Sequence, residues 1–244
     1  LKGGMHAAFN FDLAADINRV VVEGKNDSLV ERLIITRQRY ASFSPDYIDA
    51  TFIANHDQNR IMNNVRFDVR KAKLAASILL TLPGSPYLYY GEEIGMGGQK
   101  PDELIREPFP WTFDDVADNM TTSWEHPEYS VKVSMKSLAD QYNDPNSIYS
   151  HYHSLIDVRY HHEALVSGSL LPVNVGLKDV IVYKREIAGG QRVLIAHNLS
   201  PLTQSLELGL TADGTRAVFS SGDVSLEGDF LQLAPYCSVI YVLE

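Results

Sequence analysis

The 244-residue sequence predicts a chain of two characters, α/β over roughly its first two thirds and all-β in the remainder. Three observations lead there. Short apolar runs alternate with stretches of helical periodicity as far as about Leu165. Beyond that point the helical period is replaced by closely spaced strand-like runs separated by turn residues such as Ala188-Gly189-Gly190. A hydrophobic content of 45% is enough to give both parts a core.

Taken in order, MHAAFNFDL (5–13) reads as a short strand, and Ser28 with Glu31 forms a capping-box start for a helix in which Leu29, Leu33 and Ile34 share a face. ATFIAN (50–55) is a nearly continuous apolar strand. RKAKLAASILLTL (70–82) is a helix apolar on most sides, as a helix packed between a sheet and its neighbours must be, and it stops at Pro83-Gly84. SPYLYYGEE (85–93) gives a third, aromatic-rich strand. A long irregular segment (95–146) follows, of a length that usually serves a function. Asp144 before Pro145 reads as the N-cap of a helix over 147–165 with Ile148, Tyr152, Leu155 and Ile156 on one stripe. The runs VIVYKR, RVLIAHNL, QSLELGL, RAVFSS, DFLQL and SVIYVL then predict an antiparallel β-sandwich of about 80 residues. The expected domains are therefore 1–164 and 165–244.

A net charge of −10, with the acidic residues scattered, argues against nucleic acid or an anionic membrane as partner, and no apolar run is long enough to span a bilayer. The single Cys237 excludes an intramolecular disulfide and says nothing of compartment, which stays undetermined. There is no GxGxxG and no P-loop. His151, His153, His161 and His162 lack metal-ligand spacing and read as a polar helix face, and Asp114, Asp115 and Asp118 lack the spacing of a calcium loop. No metal or cofactor is assigned to this chain.

Chemistry is expected at FIANHDQN (52–59), where an apolar strand stops on Asn55, His56 and Asp57. Functional groups collect at the carboxyl ends of parallel strands, and by itself the triplet is also a good tight turn. Together with LPGSPYLYYGEEIGM and REPFPW, it resembles the α-amylase family of glycoside hydrolases over essentially the whole chain. Within that family it looks closest to bacterial α-amylases lying between the oligo-1,6-glucosidases and the neopullulanases.

The resemblance implies the last three βα units of a (β/α)8 TIM barrel, strands six to eight, with the C-terminal β-sandwich after them. It implies that Asp57 stabilises the transition state at the anomeric carbon and that His56 donates to the same sugar. Asp102 and Arg106, in KPDELIREPFPW, would hold the next sugar; without the resemblance they read as a surface ion pair. Trp111 and Trp124 offer faces for a sugar or a core for their own loop. The nucleophilic Asp and the general-acid Glu of the family would lie upstream of Leu1. The expectation is thus an inactive piece of a retaining enzyme acting on α-1,4-glucans, with calcium possible only in the complete enzyme. Its partners would be the glucan and either the missing N-terminal half or a second copy. A transglycosylase or isomerase such as trehalose synthase, and a non-catalytic amylase-like binding protein, are the alternatives. Glu92 and Glu93 are assigned no chemistry, one expected inward and one solvated.

Overall fold

The computed structural model describes residues 6–114, 120–210 and 214–243; Asp115 and Asp118 lie outside them. The first half is built on three parallel strands, β1 (Ala7–Phe9), β2 (Ile48–Thr51) and β3 (Ser85–Pro86), side by side in sequence order. Helices α1 (Phe11–Glu23) and α2 (Leu29–Phe43) connect β1 to β2, and α3 (Ile61–Asn64) and α4 (Val69–Thr81) connect β2 to β3.

Several elements depart from the sequence expectation. The strand expected over 5–13 ends at Phe9, because the Asn10 side chain accepts from the Leu13 amide (2.9 Å) and starts a helix whose Leu13, Ile17, Val20 and Val21 are all buried. Ser28 caps nothing: it sits at φ 52°, and Asn26 Oδ1 takes the Leu29 amide instead. β2 leaves the ladder at Thr51 although Phe52–Ala54 remain buried, and β3 is only two residues long, its line extended by the Tyr87 amide bonded to Thr51 O (2.7 Å). The buried pair Asn10 and Asp49 (3.0 Å) ties β1 to β2. Phe52 meets Phe9 and Phe11 edge-on at 5.7 and 5.0 Å, and Phe9 meets Tyr87 at 5.0 Å; Phe9, Phe11 and Tyr87 are about half exposed.

The described part of segment 95–146 is mostly irregular, with the one-turn helices α5 (Asp102–Ile105) and α6 (Leu138–Gln141). Next come α7 (Ile148–His161) and the short α8 (Glu163–Ser167). Ser147, not Asp144, caps α7, accepting the Ser150 amide; Asp144 instead takes the Asn146 amide and, through its carbonyl, the Ser150 hydroxyl. The buried stripe of α7 is Ile148, His151, Tyr152, Leu155 and Arg159, while Ile156 faces outward. His151 is therefore not part of a polar face. Its ring meets Ser77 Oγ (3.1 Å) and Lys73 O (2.8 Å), and burial lowers its pKa to about 4.

The second half is a sandwich of two antiparallel sheets. Strands β4 (Ser169–Pro172), β5 (Val180–Glu186), β6 (Arg192–Asn198), β11 (Ser238–Leu243) and β8 (Thr215–Ser220) form one sheet in that order. Strands β7 (Gln204–Glu207), β10 (Phe230–Leu233) and β9 (Val224–Glu227) form the other. The larger sheet is covered on both faces. Val180, Val182, Leu194, Ala196, Val239 and Tyr241 pack toward the smaller sheet, whereas Ile181, Tyr183, Val193, Ile195 and Ile240 join the helices in one continuous core. This is why β5, β6 and β11 read as unbroken apolar runs and not as an alternation. A boundary drawn at 164/165 falls inside α8, whose Ala164 and Leu165 are buried in that shared core.

Two buried arginines gather at the carboxyl end of α4, and one of them, Arg185 of β5, fastens the halves together. Arg159 Nη1 donates to the carbonyls of Leu80 (2.8 Å) and Leu82 (3.0 Å), and Arg185 Nη1 donates to Thr81 O (2.9 Å). The last carbonyls of a helix have no intrahelical partner and carry the negative end of its dipole, so they suit a cation. Burial still lowers Arg159 to about 10, and burial with the charge of Arg159 nearby lowers Arg185 to about 9. Beside them Thr81 Oγ1, Tyr183 OH (2.6 Å) and His197 Nε2 (3.1 Å from the tyrosine) form a buried chain that ends on Ser238.

Candidate active site

β2 delivers its polar end in a tight turn. Asn55 Oδ1 accepts the Asp57 amide (2.9 Å) and Asn55 O accepts the Gln58 amide (3.2 Å), so Asn55 shapes the turn and leaves His56 and Asp57 exposed at its tip. The turn reading and the functional reading of Asn-His-Asp are thus compatible. Behind it, Asn18 Nδ2 bonds Ile53 O (3.0 Å), and Asn64 donates to Asn18 Oδ1 (2.8 Å), holding the strand end on α1 and α3.

The segment carrying Asp102 and Arg106 is strapped over this turn by residues 59–63. Asn59 Oδ1 accepts the Lys100 amide (2.8 Å), the Arg60 amide donates to Gly98 O (2.9 Å), and Asn63 Oδ1 accepts the Gly98 amide. Gly98 sits at φ +157°, and a Cβ there would lie 2.6 Å from Leu104 O, so the close approach requires glycine. Arg60, fully buried, reaches through the strap: its guanidinium donates to Ile105 O (3.1 Å) and Tyr90 O (2.6 Å). It lies 4.3 and 4.8 Å from the ring centres of Tyr89 and Tyr90. Burial lowers its pKa.

All four residues expected from the sequence meet at the tip. Arg106 Nε donates to His56 O (2.9 Å), and its Nη2 serves both Asp57 Oδ1 (3.2 Å) and Asp102 Oδ2 (2.8 Å). His56 Nε2 lies 3.4 Å from Asp57 Oδ2. Lys100 joins them by an ion pair to Asp102, and that bond is the main reason the Asp102 carboxyl sits below the usual carboxylate range. A planar donor fork, two carboxylates and an imidazole, all open to solvent, make a surface able to exchange these bonds for those of a polyhydroxylated ligand. As ion pairs alone, at this exposure, they add little stability. Trp111 and Trp124 are also about half exposed; Trp111 leans on Phe109, with ring centres 4.6 Å apart.

Sequence reasoning missed the supports. Nothing in the sequence pattern marks Arg60, and Glu107 stands there only as part of REPFPW. The Glu107 carboxylate is fully buried and accepts the backbone amides of Glu128 (2.7 Å), Tyr129 (3.0 Å) and Ser130 (2.7 Å), pinning the far side of the loop to the Arg106 segment. Its partners are main-chain groups 21 to 23 residues away, which leave no signature in side-chain pattern. Glu92 is the inward member of its pair, as expected, while Glu93 is half-buried rather than solvated. Burial raises Glu92 to about 8 against the pull of Arg60, and burial raises Glu93 as well.

The sequence profile described as "Alpha amylase, catalytic domain" matches residues 4–168 of this geometry, and "Alpha-amylase SusG C-terminal domain" matches 180–240. This chain belongs to the α-amylase family. It is 35% identical over 237 residues to Alpha-amylase 3 of Dictyoglomus thermophilum, covering 97% of this chain and 47% of that protein. It is 30% identical to Alpha-amylase SusG of Bacteroides thetaiotaomicron, covering 98% of this chain and 36% of that one. The solved α-amylase from H. orenii superposes with a TM-score of 0.86 at 30% identity, covering 99% of this chain and 49% of its own. The chain therefore spans about half the length of, or less than half of, the family members it matches. Its three parallel strands are part of the (β/α) barrel of those enzymes, and the sandwich follows as it does in them. Other family members similar to it are 4-alpha-glucanotransferase of Thermotoga maritima, 37% identical over 146 residues covering 58% of this chain and 32% of that protein, and trehalose synthase of Thermus thermophilus, 31% identical over 166 residues covering 64% of this chain and 17% of that protein.

Proposed function

We propose that the turn 55–57 and the strap 98–106 together hold two adjacent glucose units of an α-1,4-glucan in a retaining glycoside hydrolase. The observation that carries this is the single guanidinium of Arg106, bonded at once to Asp57, Asp102 and the carbonyl of His56. Asp57 and His56 contact the sugar undergoing cleavage; Asp102 and Arg106 contact its neighbour toward the non-reducing end.

In a retaining mechanism a carboxylate attacks the anomeric carbon while a carboxylic acid protonates the departing glycosidic oxygen. Water then displaces the carboxylate, and the former acid takes the water proton. We assign neither of those two groups to residues 1–244. Asp57 is the third carboxylate, whose bonds to the ring hydroxyls strengthen as positive charge develops at the anomeric carbon. The remaining barrel strands, from outside these residues, would cover the half-exposed Phe9, Phe11 and Tyr87. The family also includes transferases, in which a sugar takes the place of water. None of the four residues here selects the acceptor, so hydrolysis is our choice on the two α-amylase relatives aligned along nearly all of the chain.

The test is substrate length. In the active protein, Arg106→Ala should lower kcat/KM on maltoheptaose at least tenfold more than on an activated monoglucoside, which does not reach Arg106 and Asp102. Equal losses on both would place Arg106 elsewhere.

A further inference from the structure

The outer face of α7 carries a feature that the strand-end site does not use. The ring of Tyr142, just after α6, lies 5.6 Å from that of Tyr149 at an interplanar angle of 33°, and Tyr149 lies 6.3 Å from the His153 ring at 36°. Tyr149 and His153 are one turn apart on the helix and so share a face. The three rings form a ladder of tilted planes, not the edge-on pairs found in the aromatic cluster around Phe52. Together with Pro145, Ser150 and Ser154 they line an open cleft of about 370 Å³.

This ladder is not a core. Tyr142 is 62% exposed, and His153 and Ser154 are exposed. The phenol hydroxyls of Tyr142 and Tyr149, the Ser154 hydroxyl and the His153 ring nitrogens have no hydrogen-bond partner among the described residues. The cleft lacks a lining aspartate, glutamate, lysine or arginine, so a charged ligand has nothing to pair with. What it offers is a row of tilted rings, exposed at Tyr142 and His153, rimmed by hydroxyl and imidazole groups free to donate and accept. A pyranose is complementary to both: its flat C–H faces lie on aromatic rings, and its equatorial hydroxyls bond to the rim. Ring-on-ring contact of this kind tolerates a run of identical units, as it does in single-strand nucleic-acid binding.

We propose that the Tyr142–Tyr149–His153 ladder is a second contact for an α-glucan chain, separate in its residues from the strand-end site. The choice of glucan over other carbohydrates rests on the reading given under Proposed function; the ladder itself calls for a neutral, multi-unit sugar. Its role would be to hold polymeric substrate and not to take part in bond cleavage.

Native gel electrophoresis of the protein through soluble starch tests this, with dextran gels as the linkage control and calorimetry with maltoheptaose for affinity. Tyr142→Ala/His153→Ala replaces two exposed side chains, so folding should survive. Starch retardation should fall at least tenfold in that variant, and kcat/KM on a short maltooligosaccharide should stay unchanged. Tyr142→Phe, which keeps the ring, should behave as wild type. Arg106→Ala should keep the retardation that the ladder supplies while losing activity. Starch retardation of Tyr142→Ala/His153→Ala equal to wild type overturns the proposal. So does loss of retardation in Arg106→Ala alone, a result that leaves the strand-end reading standing. Equal retardation by dextran would overturn the α-1,4 assignment of the ladder. Retention of a protein partner by this face, with no starch retardation in wild type, would also overturn it.

Discussion

Arg60→Met is the perturbation that most sharply separates an engineered-looking strap from a casual loop contact. Methionine roughly fills the volume, so the change is chemical and not a cavity. Two carbonyls lose their charged donor: that of Tyr90 is left without a partner, while that of Ile105 keeps the Tyr89 hydroxyl (3.1 Å). The orphaned carbonyl costs about 1–3 kcal/mol. Two ring contacts at 4.3 and 4.8 Å are worth about 0.5–2 kcal/mol each. Against this gross loss of about 2–7 kcal/mol stands the release of a buried cation, an effect of several kcal/mol in the opposite direction. A net destabilisation of about 2 kcal/mol follows. The assay is equilibrium urea unfolding, paired with limited proteolysis of the 98–106 strap. The midpoint should drop, and cleavage within the strap should accelerate before global unfolding. Arg60→Lys should recover only part of this, because a point charge cannot serve two carbonyls and two rings with the guanidinium's planar fork. A methionine variant within about 0.5 kcal/mol of wild type, with unchanged proteolysis, would refute the strap.

Other expectations concern the buried charges. Because Glu92 titrates near 8 in the fold and near 4.5 when unfolded, the native state holds its proton longer. Stability should therefore decline as pH rises from about 4.5 to 8, and Glu92→Gln should remove that component of the slope in urea midpoints taken across the window. A variant whose pH profile parallels wild type would show that Glu92 is ionised at neutral pH. Arg185→Met should cost about 2 kcal/mol, since Thr81 O and Gly168 O lose their donor while Arg159 is relieved of a neighbouring cation. An unchanged urea midpoint would mean that the halves hold together without it.

How much of this was legible in the sequence differs by element. The buried faces were readable wherever a helix or strand had one dominant pattern, as in α4 and in the six β runs, all of which found partners. α1 was missed because its start depends on Asn10, a strong cap placed where strand and helix residues overlap, so the apolar run appeared to continue as strand to Leu13. Ser28 and Asp144 had suitable side chains, but competing donors and acceptors nearby, Asn26 and Ser147, took the cap positions. His151 looked polar because imidazole is polar; only the meeting of α7 with α4 shows that it is buried. In the candidate site, His56, Asp57, Asp102 and Arg106 were marked by their resemblance to the family, and the structure brings them within bonding distance. Arg60, Asn63 and Glu107 could not be read, since each acts on main-chain groups far along the chain, and a backbone carbonyl or amide is the same in every residue.

The measurement that tests the account most directly is turnover of maltoheptaose by Asp57→Asn in the active protein, with kcat and KM determined separately. If Asp57 supports charge developing at the anomeric carbon, kcat should fall by at least about a hundredfold, in line with the loss of a transition-state electrostatic contact. KM should move far less, because the lost bonds are strongest in the transition state. Near-wild-type kcat with a raised KM would make Asp57 an ordinary binding group. Near-wild-type values of both would contradict the placement of the active site at the end of β2.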